Sequence, residues 1–189
     1  MKRPSVEKAS TAEAAMNDLR LADSYSRLGT VMSLRPHLNG LDWWRVLGDE
    51  WSGCDNVAAF RLDLGKLFRT AGRNELDVMM TNDERKALEA MPATITVYRG
   101  CYAANRLGLS WTTERSIAEG IVSQNRYRQP GQALLIVGRV PRSTCVLKLN
   151  REESEIISPA VRRIEEIMLT RTEKSPRLRA EGGNGYHLI

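Results

Sequence analysis

The apolar pattern of this 189-residue chain changes period at Ala93, and nothing else in the sequence constrains the fold as much. Before that point apolar side chains recur at helical steps; after it they alternate or run together in short blocks, as strands require. In LDWWRVLGDEWSG, Leu41, Trp44, Leu47 and Trp51 share one face of an amphipathic helix ending near Gly53, and this aromatic stripe reads as core. STAEAAMNDLRLADSYSRL opens on a Ser-Thr cap signal and keeps Ala and Leu at helical spacing. PHLNG breaks the pattern, and NVAAFRLDLGKLFRTAG resumes it up to a glycine stop. TNDERKALEAMP predicts a short helix with Thr81 or Asn82 as cap, acids in its first turn and a proline stop.

Beyond Ala93, ATITVYRG sets Ile95 and Val97 on one face of a strand and Thr96 and Tyr98 on the other. GLSWTT predicts a short strand ending in a cap, and TERSIAEGIVSQ a helix with Thr113 at its N-cap. NRYRQPGQ is a loop. ALLIVGRV is continuously apolar, as a buried strand is; TCVLKL alternates and SEIIS follows. AVRRIEEIML fits either a helix or a strand. The polar, glycine-rich tail EKSPRLRAEGGNGYHLI is expected to be loosely held. Helices followed by strands predict an α+β fold, with a helical region over 1–92 and a strand-rich region over 93–189.

Hydrophobic residues make up 42% of the chain, enough to bury a core. No apolar stretch approaches the ~20 residues of a membrane span, and the basic start MKRPSV lacks the apolar segment of a secretory signal. Cys54, Cys101 and Cys145 are odd in number and far apart, which suits neither a disulfide framework nor a metal site and points to a reducing cytosol. His37 and His187 lie at opposite ends, so no histidine-based catalytic group is visible. The net charge of +5 permits contact with nucleic acid or a phosphorylated ligand, but no DNA-binding motif or basic-aromatic run supports the nucleic-acid option.

The stretch NREESEII places Glu153 and Glu155 on one face of a strand that runs into the apolar pair Ile156-Ile157. Taken alone it reads as a solvated turn entering an edge strand. Upstream stand an arginine at a strand end, Tyr98-Arg99-Gly100, and a hydroxyl cluster, Ser110-Trp111-Thr112-Thr113. In this order the three stretches resemble the Arg–Ser-x-Thr/Ser–Glu-x-Glu signature of the mono-ADP-ribosyltransferases, the branch with the cholera-like and clostridial binary toxins and small phage and prophage enzymes. The resemblance covers roughly residues 93–159.

That resemblance implies a mixed, β-sandwich-like core that binds NAD as co-substrate, without a metal. It implies transfer of ADP-ribose to a side chain of a host protein target, an arginine where the first acid is a glutamate, with release of nicotinamide. Glu155 matches the catalytic glutamate, set where positive charge grows on the nicotinamide ribose. Glu153 matches the acid that orients the acceptor guanidinium. Arg99 would hold the cofactor's phosphate or ribose, and Gly100 would let the nicotinamide carboxamide approach the backbone. Ser110 would hydrogen-bond Glu155 and fix its rotamer, and Thr112 would support the strand-to-helix turn. Arg126 and Tyr127, with Arg128, are candidates for phosphate and nicotinamide contacts, beside the reading of that loop as a solvated basic segment. Trp111 reads as core by alternation, Cys101 as a buried filler, Glu152 as solvent-facing, and Asn150-Arg151 as the turn that positions the acids.

Two other enzymatic acceptors fit the same motif: water, giving an NAD glycohydrolase, or a nucleic-acid base. A non-enzymatic reading is a phage-type binding or regulatory protein carrying a degenerate transferase-like domain; the intact Arg99, Ser110, Glu153 and Glu155 argue against it. The expected location is the cytoplasm, that of the host if a phage encodes the chain, with no membrane partner.

Overall fold

A computed structural model describes residues 14, 16–124, 127–150 and 153–169; the expectations for the start of the chain, Arg126, Arg151, Glu152 and the tail fall outside these residues. Six helices come first: α1 (residues 16–21), α2 (Arg27–Leu34), α3 (Gly40–Glu50), α4 (Arg61–Thr70), α5 (Arg73–Val78) and α6 (Asn82–Ala90). Strands β1 (Thr94–Tyr102) and β2 (Ser110–Thr112) follow, then α7 (Arg115–Ile121), β3 (Ala133–Pro141), β4 (Val146–Asn150), β5 (Glu153–Ile157) and β6 (Arg162–Met168). The change from helix to strand falls between Ala90 and Thr94, and the architecture is α+β.

The long helix expected from Ser10 to Leu28 is interrupted. Asp23 Oδ1 accepts from the backbone N–H groups of Tyr25 (3.0 Å) and Ser26 (2.7 Å), and this side-chain turn separates α1 from α2. In α3, Asn39 is the N-cap and accepts from the Asp42 N–H at 2.9 Å. The buried face consists of Trp43, Trp44 and Leu47, continued by Trp51 in a 3-10 turn, while Leu41 in the first turn is exposed. Gly48 lets α3 meet the end of α5, since a Cβ there would lie 2.2 Å from the Met79 carbonyl oxygen.

Thr81 caps α6 in a capping box: its hydroxyl accepts from Glu84 N–H, and Glu84 accepts from Thr81 N–H at 2.8 Å. The same carboxylate reaches β4, accepting from Leu149 N–H and from Lys148 Nζ, both at 3.0 Å. Lys148 also donates to the Met79 carbonyl. Lys148 is therefore buried together with Val146 and Leu147, so the alternation read in TCVLKL does not appear as alternate burial.

The sheet order is β4-β5-β2-β1-β3-β6, and every pairing is antiparallel rather than mixed. β1 and β3 pair along their whole lengths, but β1 and β2 share only the pair Tyr98↔Thr112. Two three-stranded halves thus meet at one narrow joint. The ambiguous segment AVRRIEEIML forms β6, which pairs with β3 and keeps most of its side chains in solvent.

One cluster of buried residues spans both regions, joining Leu28, Trp44, Trp51 and Leu88 to Val97, Trp111, Ile136, Leu147 and Ile156. On the other side of β1, α7 closes on the sheet. A Cβ on Gly100 would fall 1.8 Å from the Ala118 carbonyl oxygen, so only glycine permits this approach. Among the described residues no helix is long and apolar enough to cross a membrane.

Candidate functional site

The three motif stretches lie on neighbouring strands in the order β5-β2-β1. In the register, Glu155 stands opposite Thr112, and Thr112 opposite Tyr98. Ser110 is paired with Ile157, two residues along β5, so it sits diagonal to Glu155 and Thr112 directly across from it. Glu153 pairs with Asn150 at the β4–β5 turn.

Glu155 is half-buried, and its Oε1 accepts a 3.0 Å hydrogen bond from Trp51 Nε1. That donor comes from the helical region and is itself fixed by packing. Trp43, Trp44, Phe68 and Trp51 form a series of edge-on ring contacts, with centroids 5.0, 5.3 and 6.1 Å apart. Of the stripe read as core, Trp44, Leu47 and Trp51 are buried and Leu41 is not, and Trp51 also holds the proposed catalytic carboxylate. Sequence reading missed this role, because helical spacing identifies a buried face but not the direction of one indole N–H.

Arg99 is tied to the backbone: Nη1 donates to Ser110 O at 2.8 Å and Nη2 to Asn105 O at 3.0 Å. Its guanidinium occupies the space where a side chain at Gly108 would begin. Burial lowers the Arg99 pKa, while nearby Cys101 and Glu155 favour its charged form. Arg99 and Glu155 are thus electrostatically coupled across the sheet joint. Asn105, also missed from sequence, fixes the turn after β1 by accepting from Tyr102 N–H at 2.7 Å.

The remaining residues separate into two groups. Thr112 Oγ1 accepts from Glu114 N–H at 3.1 Å and supports the turn into α7. That bond makes Glu114, not Thr113, the residue preceding the helix, and Thr113 does not act as its cap. The room left by Gly100 is filled by α7, so its missing Cβ answers to packing and not to a carboxamide. Tyr127 and Arg128 lie exposed on the loop between α7 and β3. Cys101 is buried, and burial raises its thiol pKa, which suits a filler more than a nucleophile.

A cavity of about 450 Å³ lies beside β3 and β6, lined by residues such as Thr94, Arg139 and Ile164, and includes none of the motif residues. Comparison with family models, with curated proteins and with solved structures finds no match for this chain.

Proposed function

We propose that this chain is an NAD-dependent mono-ADP-ribosyltransferase that moves ADP-ribose from NAD to an arginine side chain of a target protein. The observation that carries the reading is the placement of Arg99, Ser110–Thr112 and Glu155 on adjacent strands, with Glu155 brought in from a later part of the sequence.

In this reading the bond between nicotinamide and the ribose C1′ breaks, and its electron pair leaves with nicotinamide. Glu155, held by Trp51, faces the positive charge that develops on the ribose. A guanidine nitrogen of the acceptor bonds to C1′ and loses its proton late, with Glu153 orienting it. Arg99 fixes β2 against β1 through its Nη atoms, and its buried Nε, which has no acceptor among the described residues, is the donor left for a cofactor oxygen.

Labelled NAD incubated with protein and host lysate should mark one or a few proteins on arginine, and Glu155→Gln should abolish the label while circular dichroism stays native. Undiminished labelling by that variant overturns the role of Glu155. Nicotinamide release without any labelled macromolecule would assign water as acceptor instead.

A further inference from the structure

A second cleft, of about 230 Å³, opens between α4, the loop before β2 and the β5–β6 connection. Four arginines line it: Arg61, Arg69, Arg106 and Arg163. None of its lining residues among those described is acidic, and Arg106 forms an ion pair with Glu166 at 4.0 Å. Like charges gathered in a concave wall repel one another and focus a positive potential inward. Arg61 reaches the Leu107 carbonyl at 3.3 Å, which ties helix to loop without neutralising any charge.

Trp111 adds an independent observation. It lines the cleft and is 5% exposed, and its Nε1 is buried with no acceptor among the described residues. A buried donor left unpaired is destabilising, so such groups ask for an explanation. Gly108 also lines the cleft, and the space beside its Cα is filled by the Arg99 guanidinium. The volume falls below the ~300 Å³ at which pockets for whole drug-sized ligands begin, so a compact group fits better than an entire dinucleotide.

We propose that this cleft binds the phosphate group of a small ligand, with the arginines supplying charge-assisted hydrogen bonds and Trp111 Nε1 donating to one phosphoryl oxygen. Guanidinium forks suit tetrahedral oxyanions, and the surplus positive charge favours a dianion or diphosphate over a single carboxylate. The cleft adjoins Arg99, whose guanidinium lies against Gly108, but it lies away from Glu155. Trp111 leaves β2 on the face opposite Thr112, and Thr112 is the residue across from Glu155. The inference rests on the four arginines and Trp111 alone and does not depend on the transferase reading.

The test is the indole N–H signal of Trp111 in a nitrogen–proton correlation spectrum, assigned as the peak missing from Trp111→Phe. Pyrophosphate, ADP and NAD are titrated separately into the full chain, against potassium chloride at equal ionic strength. A saturable shift of that peak with pyrophosphate supports a site for free phosphate; a shift with ADP or NAD only supports a nucleotide-borne phosphate. Arg106→Ala and Arg163→Ala, both exposed positions, should each weaken binding about tenfold without moving the peak of the free protein. Glu155→Gln should leave the shift unchanged, which keeps this site distinct from the transfer reaction. The proposal is overturned if none of the three ligands moves the peak, if chloride moves it as much, or if the arginine variants respond like wild type.

Discussion

The hydrogen bond from Trp51 Nε1 to Glu155 links the helices to the carboxylate on which the proposed chemistry depends. Trp51→Phe keeps an aromatic ring against Phe68 and removes only the donor. Hydrogen bonds to charged groups contribute about 1.5–3 kcal/mol, so under the transferase reading the variant should lower kcat at least about tenfold. The KM for NAD should change little, because the bond positions a reacting group and does not hold the cofactor. A rise in KM with unchanged kcat would count against that positioning role. The site was partly legible in the sequence: Arg99, Ser110, Thr112 and Glu155 stand out by residue type and order. Trp51 and Asn105 were not, since their roles arise from contacts across long stretches of chain. The difference between Ser110 and Thr112 depends on strand register, which spacing alone does not set.

At the scale of elements, close approaches between backbones carry the most exposed predictions. Gly100→Ala would force a methyl group into the Ala118 carbonyl, and either α7 lifts from β1 or the strand shifts. Overpacking of this kind costs roughly 1–3 kcal/mol or more, readable as a lower urea midpoint. The α6–β4 link gives a pH-dependent prediction. Burial alone would raise the Glu84 pKa, but the N–H groups of Leu149 and Thr81 and the Lys148 ammonium outweigh it, and the net shift is downward. A lowered folded-state pKa means that Glu84 stabilises the fold above the ordinary carboxylate range and loses that contribution as pH falls through its folded value. Glu84→Gln should therefore be less stable near neutrality and should lose less stability on acidification; parallel stability–pH curves for the two proteins would contradict this. The helices at Gly40 and Arg61 were readable from periodicity, and the one at Asn82 from its cap as well. The break at Asp23 was hidden because Ala and Leu spacing continues through it, and a local side-chain turn won over propensity. β6 was ambiguous because its side chains carry little apolar signal, and its pairing with β3 decides its conformation.

For the whole molecule, the shift of pattern at Ala93 separates types of secondary structure but not the core. Trp111, Val146, Leu147, Ile156 and Ile157 belong to the same buried cluster as Trp44, Trp51, Phe68 and Leu88. The edge of β4 is covered from the helical side, with Leu147 N–H against Met80 Sδ at 3.3 Å and Lys148 held by Glu84. Removing the helices would expose these side chains, leave Lys148 without its carboxylate and open a strand edge to aggregation. A fragment covering 93–189 should therefore be insoluble or lack a cooperative transition, although the sequence motif lies wholly within it. In the full chain, loss of helical circular dichroism and of Trp111 fluorescence, read in a variant with Trp43, Trp44 and Trp51 replaced by Phe, should coincide on urea titration. Two separated transitions, or a fragment with native near-ultraviolet dichroism, would show that the strands fold without the helices. Because the Trp51 bond crosses this boundary, independent folding would also leave Glu155 without the donor that holds it, so folding and the proposed activity should be lost at the same denaturant concentration.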